Sequence, residues 1–120
     1  MYKIKSREHD KKGNKTLNVL MPIADKYNET LKQREIDITP VIYVRNHNGK
    51  LFPNMEFDIG HEQLRYTFTS KGKVMDTSFY EFDPQTRMQI PVEECGTNPI
   101  LRKANIIIAK TFPDDFLKDE

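Results

Sequence analysis

The spacing of apolar residues changes once along the chain, and that change constrains the fold more than any other feature. Between residues 22 and 34, Ile23, Tyr27 and Leu31 recur every fourth position, while Asp25, Lys26, Glu29 and Lys32 lie off that stripe. Spacing by four lines up side chains on one face of an α-helix. Pro22 suits a first helical position, where its missing N–H leaves no bond unmade. The spacing predicts one helix over 22–34, with its stripe turned to a core.

From Ile36 the period becomes two. Ile36, Ile38, Pro40, Ile42 and Val44 fall on one face of a strand, and Val41, Tyr43 and Arg45 on the other. Pro40 cannot donate to a ladder, so it marks an edge or a bulge. Asn48-Gly49 is the strongest short hairpin signal, and it predicts a partner strand over 51–58 through Leu51, Phe52, Met55 and Phe57. Pro53 marks another edge or break, and Gly60 closes the strand. Residues 63–69 alternate again: Leu64, Tyr66 and Phe68 one way, Arg65, Thr67 and Thr69 the other. A turn at 70–73 returns the chain as a strand over 74–82, which makes a second hairpin. Residues 86–92, with Met88, Ile90 and Val92, suit a further strand. Residues 93–100 read as a loop.

Three other segments complete the reading. Tyr2 and Ile4 alternate with basic residues over 2–7, a short strand, and Gly13-Asn14 signals a turn within 8–15. Residues 16–23 suit a second strand, stopped by Pro22. The run Ala104-Asn105-Ile106-Ile107-Ile108-Ala109 is uncharged and β-branched, as in a strand buried on both faces. It is expected to be central, with Ile106 or Ile107, and preferably both, buried among Leu64, Phe68, Ile42 and Val44, because exposed on an edge it would invite aggregation. Residues 113–118 suit one helical turn.

With 120 residues the chain is one domain's worth. Seven Phe and five Tyr are too many large apolar groups for a disordered chain. The expected fold is therefore a single domain over 1–120, mainly β (α+β): a small pseudo-barrel or curved mixed sheet with one helix near 22–34. Strand residues are expected to outnumber helical ones by at least three to one.

Sites for covalent or metal chemistry do not stand out. The five glycines are singletons, so no phosphate loop occurs, and there is no Cys-x-x-Cys or His-Glu-x-x-His. His9, His47 and His61 are far apart in sequence. Cys95 follows Glu93 and Glu94, whose charges disfavour a reactive thiolate. No enzyme, no metal and no cofactor are expected. One cysteine allows no intrachain disulfide, and no disulfide-linked partner is expected. No stretch reaches the ~18 uncharged apolar residues of a membrane span, and residues 1–30 lack the order of a signal peptide. A cytoplasmic location without membrane contact is the expectation.

Nineteen Lys and Arg against eighteen Asp and Glu give a net charge of +1, so bulk charge names no partner. The distribution says more: residues 1–15 carry a net +4 and residues 113–120 a net −3. Cations also interleave with rings: Tyr2 with Lys3, Tyr43 with Arg45, Phe52 with Lys50, Arg65 with Tyr66. Lys71 and Lys73 flank a turn, and Arg102-Lys103 precede the apolar run. Binders of single-stranded nucleic acid need cations for phosphates and flat rings for bases. Lys3, Lys5, Arg45, Arg65 and Lys73 are the candidate phosphate contacts, and Tyr43 and Tyr66 the candidate stacking rings. Arg65 and Tyr66 cannot both face the same way on a regular strand. The competing reading makes the rings core and the cations solubilising, in a protein-interaction or structural accessory module that binds no nucleic acid.

Three features of the chain agree with one family: the length, the opening Met1-Tyr2-Lys3-Ile4-Lys5, and a β-rich body ending in the apolar run at 104–109. In these the chain resembles the PrgU-like family, small regulatory proteins of enterococcal pheromone-responsive conjugative plasmids. The resemblance implies a PUA-like fold, a mixed pseudo-barrel found in RNA-modifying proteins. It also implies a non-enzymatic, RNA-binding role that dampens expression of a surface-adhesin operon.

Overall fold

A computed structural model describes residues 3–4, 11–93 and 98–117. The elements are β1 (Lys3–Ile4), α1 (Lys11–Gln33), β2 (Val41–His47), β3 (Lys50–Ile59), β4 (Glu62–Phe68), β5 (Val74–Asp83), β6 (Met88–Val92) and α2 (Pro99–Thr111), then a 3₁₀ turn at Pro113–Asp115. The six strands form one open sheet in sequence order. β1 pairs with β2 in parallel, through the crossover that α1 provides, and β2 to β6 form an antiparallel meander. The fold is thus α+β, with a mixed sheet and a helix over 22–34, as the periodicity predicts.

α1 begins earlier than expected. The stripe extends back through Leu17 and Leu20 to join Ala24, Tyr27 and Leu31, all buried. That spacing is helical, and it absorbs both the turn expected around Gly13-Asn14 and the strand expected over 16–23. Pro22 therefore lies inside α1, on its exposed side. There it removes one intrahelical bond, a cost the buried stripe outweighs.

The second correction is larger. Residues 104–109 are not a strand but lie in α2, so Ile106 is 47 % exposed while Ile107 and Ile108 are buried. A short apolar run does not reveal its period. The deciding residues precede it: Asn98 accepts a hydrogen bond from Ile100 N at 2.8 Å, and Pro99 opens the helix. Leu101, Ala104 and Ile108 then form the buried stripe. With helices of 23 and 13 residues beside strands of 2, 7, 10, 7, 10 and 5, the three-to-one excess of strand does not hold among the described residues.

The hairpins fall where the turn residues put them. Asn48 and Gly49 both have positive φ, as a tight primed turn requires, and Asn46 Oδ1 accepts from Gly49 N at 2.9 Å. Pro53 lies one residue beyond the last β3–β4 pair, Asn54 with Thr67, so its missing N–H on that side costs no ladder bond. Gly72, at φ +84°, turns the chain between β4 and β5, and an added Cβ would sit 3.0 Å from Val19 Cγ1 on α1.

Both helices cover one face of the sheet. On it the register lines up Ile42, Met55 and Tyr66 in one row, and Phe57, Leu64 and Phe79 in the next. These meet Leu20, Tyr27 and Leu31 of α1 and Leu101 and Ile108 of α2. Val44 is only half-buried at the margin of this core. Tyr27 donates to Asp115 Oδ2 at 2.9 Å and stacks on Phe112 at 5.1 Å, which fastens the C-terminal turn to α1. That turn also adds a bridge between Phe116 and Val74.

α1 ends with Ile36 N bonded to Leu31 O and Glu35 N to Lys32 O, with Glu35 at φ +63°. This is the paired C-terminal cap that normally uses glycine. Glu35→Gly is expected to raise stability by about 0.5–1 kcal/mol, because relief of the left-handed strain exceeds the entropy glycine adds to the unfolded chain. Thermal unfolding checks this, and a lower midpoint would contradict it.

Candidate nucleic-acid interface

The face of the sheet away from the helices carries the candidate residues. Alternation along β2 and β4 turns Tyr43, Arg45, Arg65 and Thr67 to it, and the register sets Tyr43 beside Asn54 and Arg45 beside Phe52. Arg65 stands between Glu56 and Ser78, and Gln63 between Asp58 and Tyr80. Among the described residues, neither helix packs on this side.

The centre of this face is polar and tightly satisfied. Glu56 and Gln63 are each only 3 % exposed. Gln63 Nε2 donates to Glu56 Oε2 and, at 2.8 Å, to Asp58 Oδ1. Its Oε1 accepts from Arg65 Nε at 2.9 Å. Arg65 also donates to Gln89 Oε1 at 2.5 Å and lies over the Tyr80 ring, 4.3 Å from its centroid. Arg65 is thus held beside the buried carboxylate by Gln63 and Gln89, and with Tyr80 it builds a flat platform. Burial pushes the Tyr43 phenol up to about 12; Arg65 opposes the shift, while Glu56 adds to it through its charge and a hydrogen bond.

Tyr43 therefore keeps its proton in the folded state at a pH where the unfolded chain has lost it. Its contribution to stability is complete below the ordinary tyrosine value near 10 and falls away as pH rises toward about 12. Stability against denaturant is expected to fall over that window, and Tyr43→Phe should flatten the slope. A slope identical to the parent's would remove Tyr43 as a cause.

The hairpin end of the face is different in character. Arg45, His47 and Lys50 are exposed there, and Lys50 Nζ sits 5.4 Å from the Phe52 ring centroid. Arg45, His47, Phe52, Thr67 and Met75 line a notch of about 250 Å³. The face is thus polarised, basic at the β2–β3 turn and acidic toward Glu56 and Asp58.

Three of the expected site residues share this face: Tyr43, Arg45 and Arg65. Tyr66 does not. It is fully buried on the helix side, where its hydroxyl donates to Asn105 Oδ1 at 2.7 Å and its ring meets Phe57, Phe68 and Tyr27. Its strand neighbour Arg65 takes the outer position, as parity requires. Lys73 is also elsewhere: its ammonium donates to the Asp114 carbonyl at 2.6 Å, beside the C-terminal turn. Lys3 stands opposite Val41 in β1, and Lys5 lies outside the described residues, as does Cys95. Tyr80, Gln63, Glu56 and Met75 were not singled out in the sequence, although the register of the second hairpin signals the first two.

A second surface feature lies on the helix side, past α2. Met88 and Ile90 of β6 are 65 % and 45 % exposed, and Pro91 and Val92 further along the strand line a cleft of about 540 Å³ between β5, β6 and α2. No helix among the described residues is long and apolar enough to cross a membrane, and no group of His, Cys, Asp and Glu among them is placed to hold a metal ion. Compared with known proteins, the chain matches no family model, no curated protein and no solved structure.

Proposed function

We propose that the open face of the sheet binds single-stranded RNA, in a small regulatory protein without catalytic activity. One observation carries this reading: strand parity and register gather Tyr43, Arg45, Phe52, Arg65 and Tyr80 on the one face that the helices leave uncovered. Rings there offer stacking surfaces and the cations meet phosphates. The basic hairpin end is the expected point of strongest attraction, because Arg45, His47 and Lys50 are exposed there, while Glu56 and Asp58 lie further along β3 and Asp76, beside Thr67, is bonded to Ser78. Regulation would follow by occupancy of a transcript.

The test is binding of the purified protein to pooled cellular RNA at two salt concentrations. Affinity should fall linearly on a logarithmic salt scale, by about 0.7 in slope for each phosphate contacted on a single strand. No binding at low salt would remove the reading.

The exposed Met88, Ile90 and Ile106 favour a second reading, a protein-interaction module with its partner on β6 and α2. It predicts association that is insensitive to salt and is lost in Ile90→Glu.

A further inference from the structure

We infer that the notch at the hairpin end of the open face is a subsite for one unpaired nucleobase, the anchoring point of the single strand. The inference rests on the RNA reading and adds to it a position and a mode of contact. The notch has the composition such a ligand needs. Phe52 supplies an aromatic wall, and Met75, 47 % exposed, supplies a polarizable apolar group in the same lining. A base seated between them exchanges water for contact on both of its faces. Arg45 and His47 complete the lining, and Lys50 stands over the Phe52 ring, so the cations Arg45 and Lys50 lie at the notch to meet the attached phosphate.

Among the described residues, no carboxylate lines the notch. Glu56 and Asp58 stand four and six residues from Phe52 along β3, which at roughly 3.3 Å per residue places them about 13 and 20 Å away. The nearest acid across the sheet, Asp76, pairs with Thr67 and accepts a hydrogen bond from Ser78 Oγ at 2.6 Å.

The floor of the notch is fixed beforehand. Thr67 Oγ1 donates to Asn54 Oδ1 at 3.0 Å, and Asn54 Nδ2 donates to the Phe52 carbonyl at 3.1 Å. Asn54 is fully buried, so this chain of bonds holds the backbone of the Phe52 wall in place. With its proton committed to Asn54, the Thr67 oxygen keeps lone pairs with which it can accept from a base N–H. A rigid notch with a ring wall, a thioether and a cationic rim binds a base at small ordering cost. The irregular register between Thr67 and Phe68 is what brings Met75 to this position, between the pairs Thr67 with Asp76 and Phe68 with Val74.

The test uses the whole protein and fluorescently labelled single-stranded RNA homopolymers, with Phe52→Leu and Met75→Glu as variants. Both positions have solvent-exposed area, and circular dichroism confirms their folding. Each variant is expected to weaken binding by about 5- to 150-fold, the range of one stacked base. Phe52→Leu should leave the salt slope unchanged, because it removes no phosphate contact. An RNA with one abasic position at the anchor should bind the parent more weakly, and Phe52→Leu should no longer discriminate against it. If the parent binds RNA at low salt and both variants bind as well as it does, the notch is not a base subsite, while the face reading stands. If the parent itself does not bind, both fall together.

Discussion

Ile108→Ala should destabilise the protein by about 2–5 kcal/mol, whereas Ile106→Ala should cost no more than about 0.5 kcal/mol. The two residues differ by two positions. On a strand they would share a face and lose alike; on a helix they point roughly 200° apart. Ile108 is fully buried against the sheet, and Ile106 is nearly half exposed. The loss at Ile108 combines the removed transfer energy with the cavity left behind, since the neighbouring Leu101 and Ala104 are held by the same helix. Urea unfolding of the two variants measures the contrast. Equal losses would show that the run at 104–109 is not helical, and would return it to the sheet.

Charge reversal at the hairpin end is expected to abolish most RNA affinity. In Arg45→Glu with Lys50→Glu, two cations become anions at the most basic part of the open face. Both side chains are exposed, and among the described residues neither makes a hydrogen bond or ion pair, so stability should change by less than about 0.5 kcal/mol per site. Losing two phosphate contacts should lower the salt slope by about 1.4 on a single strand. The introduced carboxylates repel the backbone as well, so the fall in affinity exceeds that of neutral truncation. Arg65→Gln is the informative contrast. Arg65 is occupied by Gln63, Gln89 and Tyr80, and it faces the buried Glu56. Its removal should cost stability first, because it breaks the bonds to Gln63 and Gln89 that hold the polar centre together. A doubly reversed protein that binds RNA like the parent at low salt would show that this end of the face is not where RNA sits.

Much of this arrangement is legible without coordinates. The change of period at Ile36, the Asn48-Gly49 turn and the alternation of 63–69 are local signals. They set the meander, the hairpin registers and the opposite orientations of Arg65 and Tyr66, because the side-chain period of a strand is two whatever surrounds it. The same parity makes one of that pair core. Which one is a tertiary outcome: Tyr66 goes inward because both helices cover that face, and the core there has room for a ring whose hydroxyl reaches Asn105.

The run at 104–109 shows the complementary case. Its residues are equally at home in a strand or a helix, and the Asn98-Pro99 start is what tips it toward a helix. The site follows the same division. Residue types and strand parity determined that Tyr43 and Arg45 would share a face. Only the packing of α1 and α2 on the other side decided that this face would be the open one. Lys73 and Met75 were placed by contacts distant in the chain, Lys73 by the C-terminal turn and Met75 by the register shift between β4 and β5. Periodicity reports a residue's neighbours along its own element, whereas burial and exposure depend on which elements meet, and that is settled by the joint packing of surfaces far apart in sequence.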